Sequence, residues 1–114
     1  MAQVLYTGAS TANAAKTHTL TPPYRQGNAG ARKKIVIHTI TVTTSGGDIA
    51  ADVGCLLTKA NGDTWNAELR SGKVFGSHFT FPHPIDCGYG AVTFVTDAGG
   101  AGVLVTTSIQ YEII

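Results

Sequence analysis

Residues 35–44 read IVIHTITVTT, and this stretch decides the fold class. Every residue in it except His38 is β-branched, and β-branched side chains favour extended backbone over helix. The run ends at residues 45–48, Ser-Gly-Gly-Asp, which are turn formers. The stretch therefore predicts a β-strand of about ten residues.

Five further strand-like segments follow this one, and turn residues separate them. They are predicted at residues 50–58, 64–70, 74–81, 91–96 and 103–113. The pair Asn61-Gly62 predicts a tight turn, since both residue types accept positive φ. Residues 82–90, PHPIDCGYG, are predicted to form a loop, because prolines and glycines interrupt a strand ladder. No window shows the apolar spacing of a sustained amphipathic helix.

The segment before residue 35 allows two interpretations. Residues 3–7 and 17–21 are compatible with short strands, which would raise the count to eight, the number in a jelly roll. Alternatively, residues 1–34 form an extended arm that becomes ordered on a neighbouring molecule. The predicted fold is therefore all-β: an antiparallel, jelly-roll-like β-sandwich body at 35–114, with an extended N-terminal arm or short edge strands at 1–34.

The charges divide at the same boundary. Up to residue 34 there are five cations and no acid, whereas residues 35–114 carry three cations and seven acids. The five cations are Lys16, Arg25, Arg32, Lys33 and Lys34. Such a division favours a role in binding and assembly over catalysis. The cluster at 32–34 is too short and too poor in aromatic neighbours to favour nucleic acid as the partner.

Low total charge indicates the kind of surface this protein presents. Charged residues make up 13% of the chain, against about 25% in a typical domain. The surface must then consist largely of Thr, Ser, Gly, Asn and Ala, which are easily buried against other subunits because few ions need to be desolvated. The first ten residues do not resemble a secretory signal, and no apolar run approaches a membrane span of about 20 residues. We therefore expect a cytoplasmic site of synthesis, with Cys55 and Cys87 buried as free thiols.

The chemistry-bearing residues form no recognisable catalytic, cofactor or metal motif. The four histidines lack i, i+2 and i, i+4 spacing, and no Cys-x-x-Cys occurs. Ser77 and His78 are neighbours on a predicted strand, so they point to opposite faces and cannot act as a catalytic pair. His38 is predicted to share a face with Val36 and Ile40, as a buried or inter-subunit histidine. Trp65 is predicted to lie in the core rather than on a sugar-binding platform.

The order of features from residue 32 onward resembles a known class of protein. It runs from Arg-Lys-Lys-Ile-Val-Ile-His at 32–38 through Asn61-Gly62 and Trp65 to Phe-Thr-Phe-Pro-His-Pro-Ile at 79–85, then Gly-Tyr-Gly at 88–90 and Tyr111-Glu112. This pattern is similar to small β-sandwich structural proteins of tailed-bacteriophage virions, in particular head decoration, or cement, proteins. The resemblance covers about 80 residues and rests on a rhythm of strands and turns, not on a chemical motif.

The resemblance implies a non-enzymatic role without cofactor, metal or small-molecule substrate. It implies homotrimers that bind the major capsid protein on the outer surface of the virion, after synthesis in the host cytoplasm, with no membrane partner. The residues expected to contact partners are the basic and scattered aromatic ones before residue 35: Tyr6, Lys16, Tyr24, Arg25, Arg32, Lys33 and Lys34. A phage tail or neck component and, from another class, a carbohydrate-binding module remain the alternatives.

Overall fold

The computed structural model describes residues 3–22, 33–72 and 77–114, and these residues form eight β-strands. The strands are β1 (Gln3–Ala9), β2 (Lys16–Leu20), β3 (Lys34–Ser45), β4 (Val53–Thr58), β5 (Thr64–Leu69), β6 (Ser77–Tyr89), β7 (Val92–Thr96) and β8 (Leu104–Ile113). No helix among the described residues is long and apolar enough to cross a membrane.

The described residues form two antiparallel four-stranded sheets. The first sheet has the order β1-β8-β3-β6 and the second has the order β2-β7-β4-β5. First and last strands pair, as do second and seventh, third and sixth, and fourth and fifth. This is the connectivity of one long antiparallel ribbon rolled up so that alternate strand pairs fall in opposite sheets, which is the jelly roll. The prediction of an all-β, jelly-roll-like sandwich is confirmed.

Alternating strands fill the space between the sheets with aliphatic side chains. The core residues of β3 are at most 1% exposed; they are Ile35, Ile37, Ile40 and Val42. The neighbouring strand β8 also contributes buried residues to the core. On the second sheet, cross-strand pairing aligns His18, Phe94, Leu57 and Trp65 across β2, β7, β4 and β5. This line of four residues, here called the transverse row, reaches from one edge of the sandwich to the other.

Both cysteines are free and buried, as the sequence predicts. Burial raises the pKa of each thiol, Cys55 and Cys87, to about 11. Each thiol therefore stays protonated at neutral pH, and protonated thiols are poor nucleophiles.

The described part of the N-terminal segment belongs to the sandwich. Residues 3–9 form β1 of the first sheet and residues 16–20 form β2 of the second. Of the two interpretations of residues 1–34, the one with short edge strands agrees with the structure at residues 3–22. The extended arm is not confirmed. Residues 23–32 lie outside the described range, so Tyr24, Arg25 and Arg32 keep the status of predictions.

The prediction of a loop at residues 82–90 is wrong for most of that segment. Residues up to 89 belong to β6, whose one partner among the described strands is β3. The register moves from Thr39↔Thr80 to Ile37↔Ile85, so residues 81–84 bulge out opposite a single residue of β3. Pro82 and Pro84 lie in this bulge on an edge strand, where a missing N–H breaks no ladder bond.

The same irregularity changes the face to which His38 belongs. Against β8, the register moves from Ile37↔Tyr111 to Thr39↔Gln110, so β3 has one extra residue there. The extra residue shifts the phase of alternation, and Ile37 and Ile40 are therefore both buried. The prediction that His38 shares a face with Ile40 is wrong: His38 lies on the outer side, half-buried.

Trp65 lies at the margin of the core instead of its centre. It is half-buried, and its ring meets Phe79 and Phe81 edge to face at centroid distances of 5.1 and 5.3 Å. Since β5 and β6 are the edge strands of different sheets, these three rings close one side of the sandwich. Aromatic contacts of this geometry add roughly 0.5–1.5 kcal/mol per pair beyond area burial.

Candidate interaction surface

A buried histidine and a tyrosine close the opposite side of the sandwich. The hydroxyl of Tyr6 on β1 lies 2.7 Å from Nδ1 of His18 on β2, and their rings meet at 76°. Gly8 makes this contact possible, because a Cβ there would come within 2.5 Å of the tyrosine hydroxyl. The contact joins the two sheets at the edge where the chain enters the fold.

His18 is buried with one ring nitrogen unsatisfied among the described residues. The residue is 1% exposed, and its Nε2 has no hydrogen-bond partner there. Burial, with a smaller contribution from the Lys16 charge, lowers the pKa of His18 below 6.5. Both effects oppose the charged imidazolium, so His18 is neutral in the folded protein at neutral pH.

This burial predicts that the protein loses stability in mild acid. The unfolded chain binds a proton at His18 more readily than the folded one, so the free energy of unfolding decreases as pH falls below about 6.5 and through the lower folded pKa. His18→Gln should reduce the change in unfolding free energy between pH 7 and pH 5, measured by urea denaturation. His83→Gln, at an exposed position, is the matched control and should leave that change as it is. A histidine NMR titration that places the pKa of His18 at or above 6.5 would contradict the prediction.

The outer face of the first sheet is covered mainly by hydroxyl groups. Three rows of paired residues cross this face from strand to strand. The first row contains Thr7, Ser108, Thr41 and His78, and the second contains Leu5, Gln110, Thr39 and Thr80. The third row contains Ala9, Thr106 and Thr43. We call these residues the hydroxyl face. It carries no formal charge with neutral histidine. His78 is held on it by hydrogen bonds to the hydroxyls of Thr41 and Thr80.

The outer face of the second sheet has the same character. Thr19, Thr93, Thr58 and Thr64 occupy matching positions on all four strands and form a continuous row of threonines. The next outward row contains Thr17, Val95, Leu56 and Asn66. The rows named on the two outer faces therefore present neutral side chains, which are inexpensive to desolvate in a protein interface.

Charged groups concentrate at the end of the first sheet where β3 begins. Lys34 Nζ lies 2.7 Å from Asp86 Oδ2 and 5.6 Å from the ring centre of Tyr89. The hydrogen bond to Asp86 raises the pKa of Lys34, and the same bond, followed by the Gly88 N–H, lowers the pKa of Asp86. The Lys34 side chain is 26% exposed and that of Asp86 is 55% exposed, so solvent screening keeps the contribution of this pair to stability small.

The bulge on β3 places His38 against an acid of β8. His38 Nε2 lies 2.7 Å from Glu112 Oε1, and each side chain is between one fifth and one quarter exposed. The pair has the geometry of a histidine oriented by a carboxylate. It has no third metal ligand beside it, because the described residues contain no group of three His, Cys, Asp or Glu side chains able to hold a metal ion.

A shallow depression of about 380 Å³ lies on the outer face of the second sheet. It forms at Gly54, whose N–H donates to Asp97 Oδ2 at 3.0 Å, and its lining includes Leu56 and Glu68. A small-molecule site is normally lined by aromatic and apolar groups around a few polar ones. This depression contains no aromatic side chain and two carboxylates, so it does not resemble such a site.

Four of the residues predicted to contact partners lie in the described part of the chain. The Tyr6 hydroxyl is engaged by His18, Lys16 lies exposed on β2, Lys33 is half-buried, and Lys34 pairs with Asp86. Their role in partner binding stays a prediction. Sequence reasoning missed the buried His18 and the threonine row. The available signal for His18 was its alternation with Thr17 and Thr19, which places it on the same face as Leu20.

Comparisons with known proteins identify no family. No protein-family model matches the chain, and no curated protein matches it. Among solved structures, the chain is similar to one in the cryo-EM structure of a virus-like particle of extra small virus from the giant freshwater prawn Macrobrachium rosenbergii. The two are 12% identical, with a TM-score of 0.37, over 97% of this chain and 79% of that chain. A similarity at this level carries no argument about function.

Proposed function

We propose that this protein is a non-enzymatic structural component of a tailed-bacteriophage virion, and that it acts as a decoration, or cement, protein on the head. The observation that carries the proposal is the small number of charged residues on the strands, which leaves the hydroxyl face and the threonine row without a charge. Of the eight strands in the described part of the chain, three contain no charged residue and five contain one each: Lys16, Lys34, Glu68, Asp86 and Glu112.

Neutral faces favour assembly for an energetic reason. Burying a charge in an interface costs several kcal/mol unless it meets a well-placed partner. Threonine and serine hydroxyls have a smaller desolvation cost and can form new hydrogen bonds across an interface. The hydroxyl face and the threonine row can therefore be covered by a neighbour without a set of matching ions.

In this role the protein acts as a homotrimer that binds the major capsid protein on the outer surface of the virion. Each contact adds buried area across a joint between shell subunits, at about 800 Å² per partner for a standard interface. Many identical contacts on one shell raise the total attachment strength by avidity. Lys33, Lys34 and the other cations before residue 35 contribute orientation and association rate toward an acidic partner.

Binding of the purified protein to phage heads tests the proposal. Purified protein should sediment as a trimer, bind expanded empty heads of the phage whose genome encodes it, and raise the temperature at which those heads rupture. Thr41→Glu puts a charge in the middle of the hydroxyl face and should weaken attachment at least tenfold, whereas Asp63→Glu, on the exposed β4–β5 turn, should not. A monomer that ignores heads would refute the proposal.

The two alternatives predict different outcomes of the same experiment. A tail or neck component would bind purified tails or connectors instead of heads. A carbohydrate-binding module would bind glycans as a monomer through an exposed aromatic platform. Trp65 does not supply such a platform, since its ring packs against Phe79 and Phe81; Tyr89, which is 56% exposed, stands over Lys34.

A further inference from the structure

Each sheet has two edge strands, and three of the four carry a feature that discourages pairing with another chain. Strand β2 is five residues long and begins with Lys16, strand β5 has Glu68 at its free edge, and strand β6 contains Pro82 and Pro84 in a bulge. Short length, charge, proline and bulges are the known means by which sheet proteins prevent edge-to-edge association.

The fourth edge strand, β1, has none of these features. Its sequence, QVLYTGA, contains no charge and no proline, and its seven residues pair with β8 in an unbroken register. Leu5 is 67% exposed and Val4 is 39% exposed. Among the described residues, β8 is the sole strand that pairs with β1. A long, regular and uncharged edge of this kind is a template for another strand.

The hydrogen-bond pattern shows which groups this edge offers. The Ser10 N–H donates to the Val105 carbonyl at 2.9 Å, directly after the last aligned pair, Ala9↔Thr106. Because bonded and non-bonded pairs alternate in an antiparallel ladder, the even-numbered residues of β1 bond to β8. The odd-numbered residues therefore direct their N–H and C=O groups to the free edge; these are Gln3, Leu5, Thr7 and Ala9.

We propose that β1 pairs antiparallel with β1 of a second copy about a two-fold axis at Tyr6. In this register Leu5 faces Thr7 of the partner and Gln3 faces Ala9 of the partner. Every backbone N–H and C=O group that points to the free edge then has a hydrogen-bond partner. The pairing forms about eight backbone hydrogen bonds and joins two four-stranded sheets into one continuous sheet. The proposal does not depend on the function proposed above.

A second copy fits this edge better than a strand of different composition. An isologous contact places each residue opposite a residue of the same strand, so a charged edge would repel itself and an uncharged one does not. The length is also matched, since a two-fold axis at the central residue leaves no part of Gln3–Ala9 unpaired. One strand pair is smaller than a standard interface, so we expect a weak, concentration-dependent contact that links copies in pairs, in addition to the contacts of the proposed trimer.

Substitution of Leu5 tests the pairing. Leu5→Lys places like charges close to the two-fold axis and should raise the dissociation constant of the β1–β1 contact at least tenfold in analytical ultracentrifugation of the full chain. Leu56→Lys is the matched control, because Leu56 is 41% exposed on the central strand β4 and should leave the constant unchanged. Equal effects of the two variants, or a wild-type chain that does not self-associate through this edge at millimolar concentration, would overturn the proposal.

Cysteine cross-linking tests the register. A mixture of Leu5→Cys and Thr7→Cys proteins should form a disulfide-linked heterodimer on mild oxidation, because directly opposed residues have Cα atoms about 4.5–5.5 Å apart. Either variant by itself should cross-link poorly, since its two cysteines would be diagonal neighbours. The native thiols of Cys55 and Cys87 are at most 2% exposed and do not compete. Efficient cross-linking of Leu5→Cys with itself would overturn the axis at Tyr6.

Discussion

Gly46→Ala should lower the free energy of unfolding by about 3 kcal/mol or more. Gly46 has a φ of +93°, and an added Cβ would collide with the backbone carbonyl oxygen of Gly102. Because the collision is with backbone and not with a flexible side chain, the β3–β4 turn or the β7–β8 turn has to move. Urea denaturation followed by tryptophan fluorescence measures the change.

Gly62→Ala separates strain from collision. Gly62 has nearly the same φ, +94°, but an added Cβ would meet nothing within 4 Å. The variant should therefore show the cost of positive φ without a clash, about 1–2 kcal/mol. Equal losses at the two positions would mean that the two turns do not need to approach each other.

Phe94→Ala should cost about 3–5 kcal/mol, the range for truncating a fully buried phenylalanine. Phe94 is 1% exposed and stands in the transverse row, with His18 on one side and Leu57 on the other. Its ring centre lies 6.4 Å from that of His18. Removing it leaves a cavity between the two sandwich edges, and the cavity reduces the contact between the sheets.

Two measurements make the Phe94 prediction specific. Phe94→Leu keeps most of the volume and should cost about 1 kcal/mol, as volume-conserving changes do. In Phe94→Ala, the pKa of His18 should move up toward 6.5, because water that enters the cavity relieves the desolvation of the ring. If Phe94→Ala lowered the free energy of unfolding by less than 1 kcal/mol and left the His18 titration unchanged, the transverse row would not contribute to core stability as described.

The sequence predicted the strands whose apolar residues alternate without interruption. Residues 64–70 and 103–113 show the clean period of two that a half-buried strand requires, and both are strands in the structure. The pair Asn61-Gly62 likewise lies in the turn between β4 and β5, with Gly62 at positive φ. These features depend on local backbone preference, which the sequence carries directly.

The sequence did not reveal features that depend on which strands become neighbours. Pro82 and Pro84 indicate a loop unless β6 is known to be an edge strand with a bulge. The face on which His38 lies depends on an extra residue relative to β8, which local alternation cannot show. The contact between Tyr6 and His18 joins two sheets, and nothing near either residue in the sequence specifies the other.

The pairing of β1 with β8 has a consequence for the synthesis of the chain. Gln3 lies beside Glu112, so β1 and its partner strand lie at opposite ends of the described chain. During synthesis, about 100 further residues are added after β1 before β8, its one partner among the described strands, is available. At the usual translation rate this interval is roughly 5–20 s, far longer than the microseconds in which a hairpin forms. During that time both edges of an uncharged strand are open, so a ribosome stalled before residue 104 would carry an aggregation-prone nascent chain. A chaperone that binds extended apolar segments should therefore be retained longest at the start of the chain, and selective ribosome profiling would measure it.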